Sequence, residues 1–448
     1  MSKRVFYVDF AKKQGKIKPL CCINGGPLTG GATLPHDMSE EYSDIRVPRV
    51  RCVMPCGSYG YNQYLCIHSL FPDFSLDEND EKSYNFAPTD RYLSAVRAAG
   101  CEIFLTLGEA AEPYERKLYA KRPTDLDKWA RICEHIVMHY NECWAGGYKW
   151  NIKYLEIWDG ADTDDGFFGE KEGFFELYRV AASHLKNRFP RLKIGGFGSM
   201  GFESQNRIFA SEKSKRAFDF TSEFFRYVKS PKTQAPLDFF TWKCYAQTPE
   251  ELSLHSKYAR AYLDNSGLKK TMSIVAEYNL SKKGDIPAAL REEYPAQLAS
   301  SLIIAQKSCI DSLFYSSSEP GDEKNALYTV DEGITHRRYA SYEVMGAFGE
   351  LYALSTAVEV SDDFPRELYL VAAKGAESGM LVLSSHAAVE RVEILLSGSE
   401  YTLCSVKKIS SGGERGEGRV NSLENLKIAG NKIVLSAKPN EMFVITLS

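Results

Sequence analysis

No apolar run in this 448-residue chain approaches the roughly 20 residues of a membrane-spanning helix, so nothing in it reads as a membrane protein. There is no polybasic tract, and a formal charge of −4 is close to neutral for this length, which leaves no electrostatic footprint for nucleic acid. The first ten residues alternate and carry Lys3, Arg4 and Asp9, unlike the apolar centre of a secretion signal. Eleven cysteines are too sparse for a disulfide scaffold and are expected as reduced thiols in a cytoplasmic protein. Cys52, Cys56 and Cys66 with His68 match no zinc-binding spacing, so neither a metal nor another cofactor is expected. No G-x-G-x-x-G follows the first strand, where Gly25, Gly26 and Pro27 make a turn rather than a phosphate cradle. Internal repeats and low-complexity tracts are also lacking.

What is present is a large soluble core, with 44% hydrophobic and 25% charged residues. Short apolar runs at 20–24, 47–54, 102–107, 153–159, 193–198, 238–245, 273–279 and 312–317 alternate with amphipathic stretches. Leu126, Trp129, Ile132, Cys133, Ile136, Val137 and Tyr140 recur at helical spacing after Thr124, which is read as the N-cap. Phe174, Leu177, Tyr178, Ala181 and Leu185 make a second stripe ended by Pro190, and Pro88 opens another helix closed by Gly100. Eight strand–helix units predict a parallel (β/α)8 TIM barrel over 18–354. From 355 to 448 the pattern becomes strands alone, at 367–373, 380–385, 389–396, 401–407, 432–436 and 442–447, with a Gly/Ser loop at 410–418. This predicts a C-terminal all-β, sandwich-like domain, which the N-terminal strand at 5–10 (in 1–17) is expected to join.

Active sites of such barrels lie at the C-terminal ends of the strands. Glu277, in SIVAEYN at 273–279, sits at the end of the seventh strand and is a candidate catalytic carboxylate; equally, it fits a paired structural glutamate. The fourth strand ends in YLEIWDGAD at 154–162. With FPDF at 71–74, YNF at 84–86, TDRY at 89–92, LGE at 107–109 and LKIGG at 192–196, these runs resemble glycoside hydrolase family 39. That family ends strand four with E-x-W-N-E-P and strand seven with a nucleophilic Glu followed by an aromatic residue and Asn. The resemblance implies a retaining glycosidase on a carbohydrate ligand, with Glu277 as nucleophile. Such enzymes use two carboxyl groups roughly 5–5.5 Å apart, one attacking the anomeric carbon and the other serving as acid and then base.

The resemblance also marks departures. The acid/base position falls on Gly160, the Asn on Asp159 and the Pro on Ala161. Arg51 matches the Arg of Arg-x-His near the end of strand two, but Val53 replaces the His. Lys243 stands where strand six places a His, and Tyr315 where strand eight tends to place Trp or an acid. Two readings follow: an active glycosidase of altered specificity, or a catalytically impaired carbohydrate-binding pseudo-glycosidase. Asp162, Asp164 and Asp165 are the candidates to replace the missing acid, against a plain solvated loop. Strict alternation turns Asp159 away from the face of Trp158, and places Glu156 inside the barrel as a structural carboxylate. Lys243 either pairs with Glu277, favouring its carboxylate and blunting its nucleophilicity, or binds an acidic sugar. Arg51, Glu109, Trp158, Asp159, Trp242, Lys243, Tyr245, Tyr278 and Tyr315 complete the candidate substrate-binding set, with Trp158, Trp242, Tyr245 and Tyr278 as stacking platforms or as core. Homo-oligomerisation is left open.

Overall fold

A computed structural model of the protein describes residues 3–30, 35–53, 65–109, 120–164, 166–200, 212–280, 292–316, 327–331, 334–361, 367–412, 417–428 and 430–448. The eight expected strands are there: β1 Cys22–Asn24, β2 Arg49–Cys52, β3 Glu102–Leu107, β4 Tyr154–Ile157, β5 Lys193–Ser199, β6 Phe239–Tyr245, β7 Met272–Asn279 and β8 Ser312–Tyr315. They pair in parallel and in sequence order, and β8 pairs with β1 to close the barrel. A helix follows each strand: α1 Ser39–Asp44, α2 Ala87–Ala98, α3 Leu126–Glu142, α4 Lys171–Arg188, α5 Glu212–Lys229, α6 Pro249–Asn265, α7 Tyr294–Lys307 and α8 Ala340–Leu354. The apolar stripe read in α3 is its buried face. Its cap is one residue later than expected: Asp125, not Thr124, accepts from the Lys128 backbone N–H at 2.8 Å.

The barrel interior is layered. Near the N-terminal end, Cys22, Phe104, Phe239, Ile274 and Phe314 fill the lumen as one apolar cluster, with Phe104 5.1 and 5.2 Å from the rings of Phe239 and Phe314. Each such buried ring is worth about 1.5–3 kcal/mol. The plug also shuts water out from below, so the polar layer next above, Arg51, Thr106, Glu156 and Thr241, is fully buried.

A nine-stranded sheet forms the second body. It is ordered Glu417–Lys427, Leu403–Gly412, Glu441–Leu447, Gly379–Ser385, Leu368–Lys374, Thr356–Ser361, Lys3–Lys16, Val389–Ser397, Lys432–Ala437. The N-terminal strand joins it, parallel to Val389–Ser397 and antiparallel to Thr356–Ser361. Its own core includes Phe6, Val8, Leu370, Leu383, Ile394 and Phe443. Other residues of the sheet meet the barrel, as where the Ser384 hydroxyl donates to the Ala296 carbonyl of α7 at 2.7 Å. Two strands of this sheet were not foreseen, Thr356–Ser361 and Glu417–Lys427. The expected 410–418 loop is strand as far as Gly412 and from Glu417, with 413–416 outside the described residues. Among the described residues no helix is long and apolar enough to cross a membrane.

Candidate active site

Two local breaks in strand regularity aim the carboxylates. On β6, Thr241, Lys243 and Tyr245 face the lumen, while Trp242 faces the helices and donates its indole N–H to Ser273 at 3.0 Å. On β7, Val275 pairs with Trp242, but Glu277 pairs with Lys243, so two steps on one strand oppose one on the other. This is the signature of a β-bulge, which re-aims a side chain. Without it, alternation from the inward Ile274 would send Glu277 to the helix side. With it, Glu277 turns into the C-terminal mouth and Tyr278 turns out.

The second break is Trp158, whose φ of 72° is left-handed, a conformation uncommon for a bulky residue. It corrects the alternation expected after β4. Trp158 swings outward, fully buried, 5.4 Å from the Phe167 ring and 6.5 Å from Trp129, with its indole donating to the Gly166 carbonyl at 2.8 Å. Asp159 turns inward. Two glycines make room: a Cβ on Gly108 would lie 2.9 Å from the Trp158 ring, and one on Gly198, itself at φ +62°, would lie 2.0 Å from the Asp159 carboxylate.

The result is a ring of five charges. Arg51, fully buried, donates Nε to Glu156 at 2.8 Å, Nη2 to Asp159 at 2.6 Å and Nη1 to Asn24 at 3.0 Å. Its Nη1 lies 4.0 Å from Glu277. Lys243 Nζ bridges Asp159 at 3.0 Å and Glu277 at 2.8 Å, and the Tyr245 hydroxyl donates to the other Glu277 oxygen at 2.7 Å. Thr106 and Thr241 hydroxyls donate to Glu156 at 2.6 and 2.5 Å.

Two cations among three carboxylates set the proton positions. Burial works to raise the Asp159 carboxyl, but Lys243 and Arg51 outweigh it and hold the group below the usual carboxylate range. Burial, helped by Asp159 and opposed by Arg51, pushes Glu156 up. Burial works against both cations, yet their carboxylate neighbours raise Arg51 and Lys243 and keep them charged. Asp162 stands apart. Its Oδ2 accepts from the Ser199 hydroxyl at 2.6 Å and the Met200 N–H at 2.9 Å. Its Oδ1 is buried with no hydrogen-bond partner among the described residues. Burial, eased by Ser199, pushes its carboxyl up to about 6.

Of the sequence candidates, Arg51, Asp159, Lys243, Tyr245 and Glu277 are therefore brought together. Glu109, at the exit of β3, pairs with His68 instead. The three aromatics named as stacking platforms besides Tyr245, and the further candidate Tyr315, do not join the cluster. Trp158, Trp242 and Tyr278 are fully buried behind the strands, and Tyr315 shares a hydrogen bond at 2.7 Å with Tyr294 at the start of α7. Of the loop acids, Asp162 is held as above, Asp164 is exposed with Arg216 at 3.6 Å, and Asp165 lies outside the described residues. Sequence reasoning passed over Asn24, Thr106 and Thr241. Their signal is an inward polar residue in an otherwise apolar strand, which marks a buried charge to be satisfied.

Gly160, on which the resemblance places the acid/base, has φ +65°, donates its N–H to the Phe197 carbonyl at 2.6 Å, and among the described residues has Thr163 alone within 4 Å of where a Cβ would sit.

Residues 26–275 match the family model described as glycosyl hydrolases family 39. A β-xylosidase of Geobacillus stearothermophilus is 24% identical over 247 residues, which are 52% of this chain and 48% of that protein. The chain thus spans about half the length of that relative. Among solved structures, a glucosidase from Croceicoccus marinus superposes with a TM-score of 0.80 at 20% identity, covering 100% of this chain and 99% of that one. A family 39 β-xylosidase from Caulobacter crescentus follows at 0.71 and 16%, covering 99% and 100%. At such identities these structures establish the shared fold.

Proposed function

The chain belongs to glycosyl hydrolases family 39, and from that membership we propose a retaining glycosidase of small glycosides or oligosaccharides, with Glu277 as the nucleophile. The observation that carries this is the bulge in β7, which turns the Glu277 carboxylate into the barrel mouth between Lys243 and Tyr245. One oxygen attacks the anomeric carbon while Tyr245 and Lys243 keep the carboxylate oriented. The names of the relatives make β-xylosides and β-glucosides the first substrates to try. Among the described residues no cysteine is joined in a disulfide, which suits a reducing, cytoplasmic setting.

The acid step is where this chain departs. Asp159 shares Lys243 with Glu277 and is therefore the carboxylate to weigh as the second member of a retaining pair. Paired with two cations and held below the usual range, it carries no proton to give at neutral pH. Gly160 has none to give. The aglycone then leaves as an anion, and the glycosyl-enzyme waits for water without a base. General acid help is worth about 10²–10⁴-fold, so rates are expected to climb steeply as the pKa of the leaving phenol falls. Azide or formate is expected to rescue the second step. The test is a series of aryl glycosides against matched alkyl glycosides. Brisk hydrolysis of the alkyl glycosides would show that another acid acts, and Asp162, whose burial favours a retained proton, is the first to mutate.

A second reading rests on the same ion pairs. Both Glu277 oxygens are already engaged, and with Gly160 in the acid position the site would hold a sugar without turning it over. Sugar binding with no turnover of any activated glycoside is the result that selects it.

A further inference from the structure

Cys66 and His68 are far from Glu109 in sequence, but backbone pairing joins them at the exit of β3. Cys66 forms a parallel bridge with Gly108, and the Ile67 N–H donates to the Gly108 carbonyl at 3.0 Å. This anchors the single helical turn Ile67–Leu70, which carries His68. Glu109 is held from the other side, accepting the His68 backbone N–H on Oε1 at 3.1 Å, while its Oε2 meets the His68 Nδ1. The Cys66 sulfur, a His68 ring nitrogen and a Glu109 oxygen all lie within 4.8 Å of one another.

We propose that Cys66, His68 and Glu109 form a site for a divalent transition ion of the zinc class. A thiolate, an imidazole and a carboxylate are a borderline-soft set, which suits zinc or cobalt and not the all-oxygen preference of magnesium or calcium. Ligands at 2.0–2.3 Å in a tetrahedron stand roughly 3.3–3.8 Å apart, so the three atoms need only small side-chain movements to close on an ion. The backbone that carries them is already fixed. Cys66 is fully buried and the Glu109 side chain is 8% exposed, whereas that of His68 is 23% exposed. The site therefore opens on the imidazole side, and three protein ligands leave a fourth position for water. Binding expels the thiol proton, so affinity rises with pH. Spacing alone hides this arrangement, because the acid arrives from the next strand and completes no linear motif.

The test is titration of the chelator-treated full chain with cobalt(II), followed by absorbance. The expected result is a near-ultraviolet cobalt–thiolate charge-transfer band that saturates at one ion per chain and is bleached by zinc. Cys66→Ser is expected to abolish the band with the circular dichroism unchanged. His68→Gln and Glu109→Gln each weaken binding by at least about tenfold, the cost of losing even an outer-shell partner. A double Cys143→Ser/Cys309→Ser variant, which removes the thiols exposed among the described residues, should keep the band. No thiolate band, or one that survives Cys66→Ser, overturns the proposal and leaves a buried thiol beside a hydrogen-bonded His–Glu pair.

Discussion

Replacing Arg51 by Met keeps an unbranched side chain and removes the charge on which the buried ring depends. Its guanidinium serves three carboxylates unequally. Asp159 keeps Lys243, and Glu277 is 4.0 Å away and keeps Lys243 and Tyr245. Glu156, fully buried, loses its only cation among the described residues and retains two threonine hydroxyls. The loss should therefore concentrate at Glu156. Orphaning one partner of a buried ion pair costs about 3–5 kcal/mol, which at an m-value of about 3 kcal/mol/M lowers the urea midpoint by about 1–2 M. Fluorescence of the buried Trp129, Trp158 and Trp242 reports the barrel transition. Adding Glu156→Gln removes the orphan charge and should recover part of the loss. The sign of the pH dependence is also set. Burial already raises the Glu156 carboxyl, and losing Arg51 raises it further. A raised carboxyl contributes its stability below the unfolded pKa of about 4.3 and loses it as pH rises through the folded value. The deficit of Arg51→Met against wild type should accordingly shrink as pH falls from 7 to 5. A loss under about 1 kcal/mol, within the range of an exposed pair, or a deficit that grows on acidification, would refute the reasoning.

Gly160→Glu meets only ordinary contact with Thr163 at its Cβ, but a left-handed backbone, so it should cost about 1–2 kcal/mol of stability. It should raise kcat/KM for alkyl glycosides, toward the 10²–10⁴-fold worth of a general acid, while leaving nitrophenyl glycosides little changed; an unchanged alkyl-to-aryl ratio would count against residue 160 as the acid position. Asp162, pushed up to about 6, contributes stability that is full below the unfolded value near 3.9 and lost as pH rises to about 6. Asp162→Asn should remove that slope between pH 4 and 6 in urea-midpoint measurements, and an identical slope in the variant would contradict the burial of this carboxyl. Trp242→Phe should lower stability by less than the roughly 3–5 kcal/mol of a truncation to Ala, without changing KM for a glycoside. A selective rise in KM would mean that the ring stacks on sugar after all.

The barrel was legible because its strands carry dense β-branched and aromatic runs punctuated by helices with clear apolar stripes, and α3 shows this best. Strand Glu417–Lys427 was not, since EGRVNSLENLK is largely polar and takes its strand form from pairing with Leu403–Gly412. Thr356–Ser361 follows α8 after one residue, Ser355 at φ 71°, which leaves no loop to announce the change. In the site, strand-end position was enough to find Glu277 and Tyr245, whereas Arg51 and Lys243 came from the resemblance to the family's strand-two and strand-six motifs. Side-chain direction was harder. A bulge has no composition of its own, and a tryptophan in left-handed conformation is too uncommon to expect. Those two features decide that Asp159 and Glu277 face the lumen and that Trp158 and Tyr278 do not. Trp158 and Tyr278 were therefore misplaced as platforms by the rule that placed the strands.

The central claim is that Glu277 attacks sugar. The most direct measurement uses 2-deoxy-2-fluoro glycosides of xylose and glucose with a dinitrophenolate leaving group, which needs no acid to depart. The fluorine slows both steps, the good leaving group restores the first, and a covalent glycosyl-enzyme accumulates. Intact-mass and peptide mass spectrometry should show one fluoroglycosyl group per chain on the peptide containing Glu277, and none in Glu277→Gln. Labelling of a different carboxylate, or no adduct with either sugar while the chain still binds it, would contradict the account.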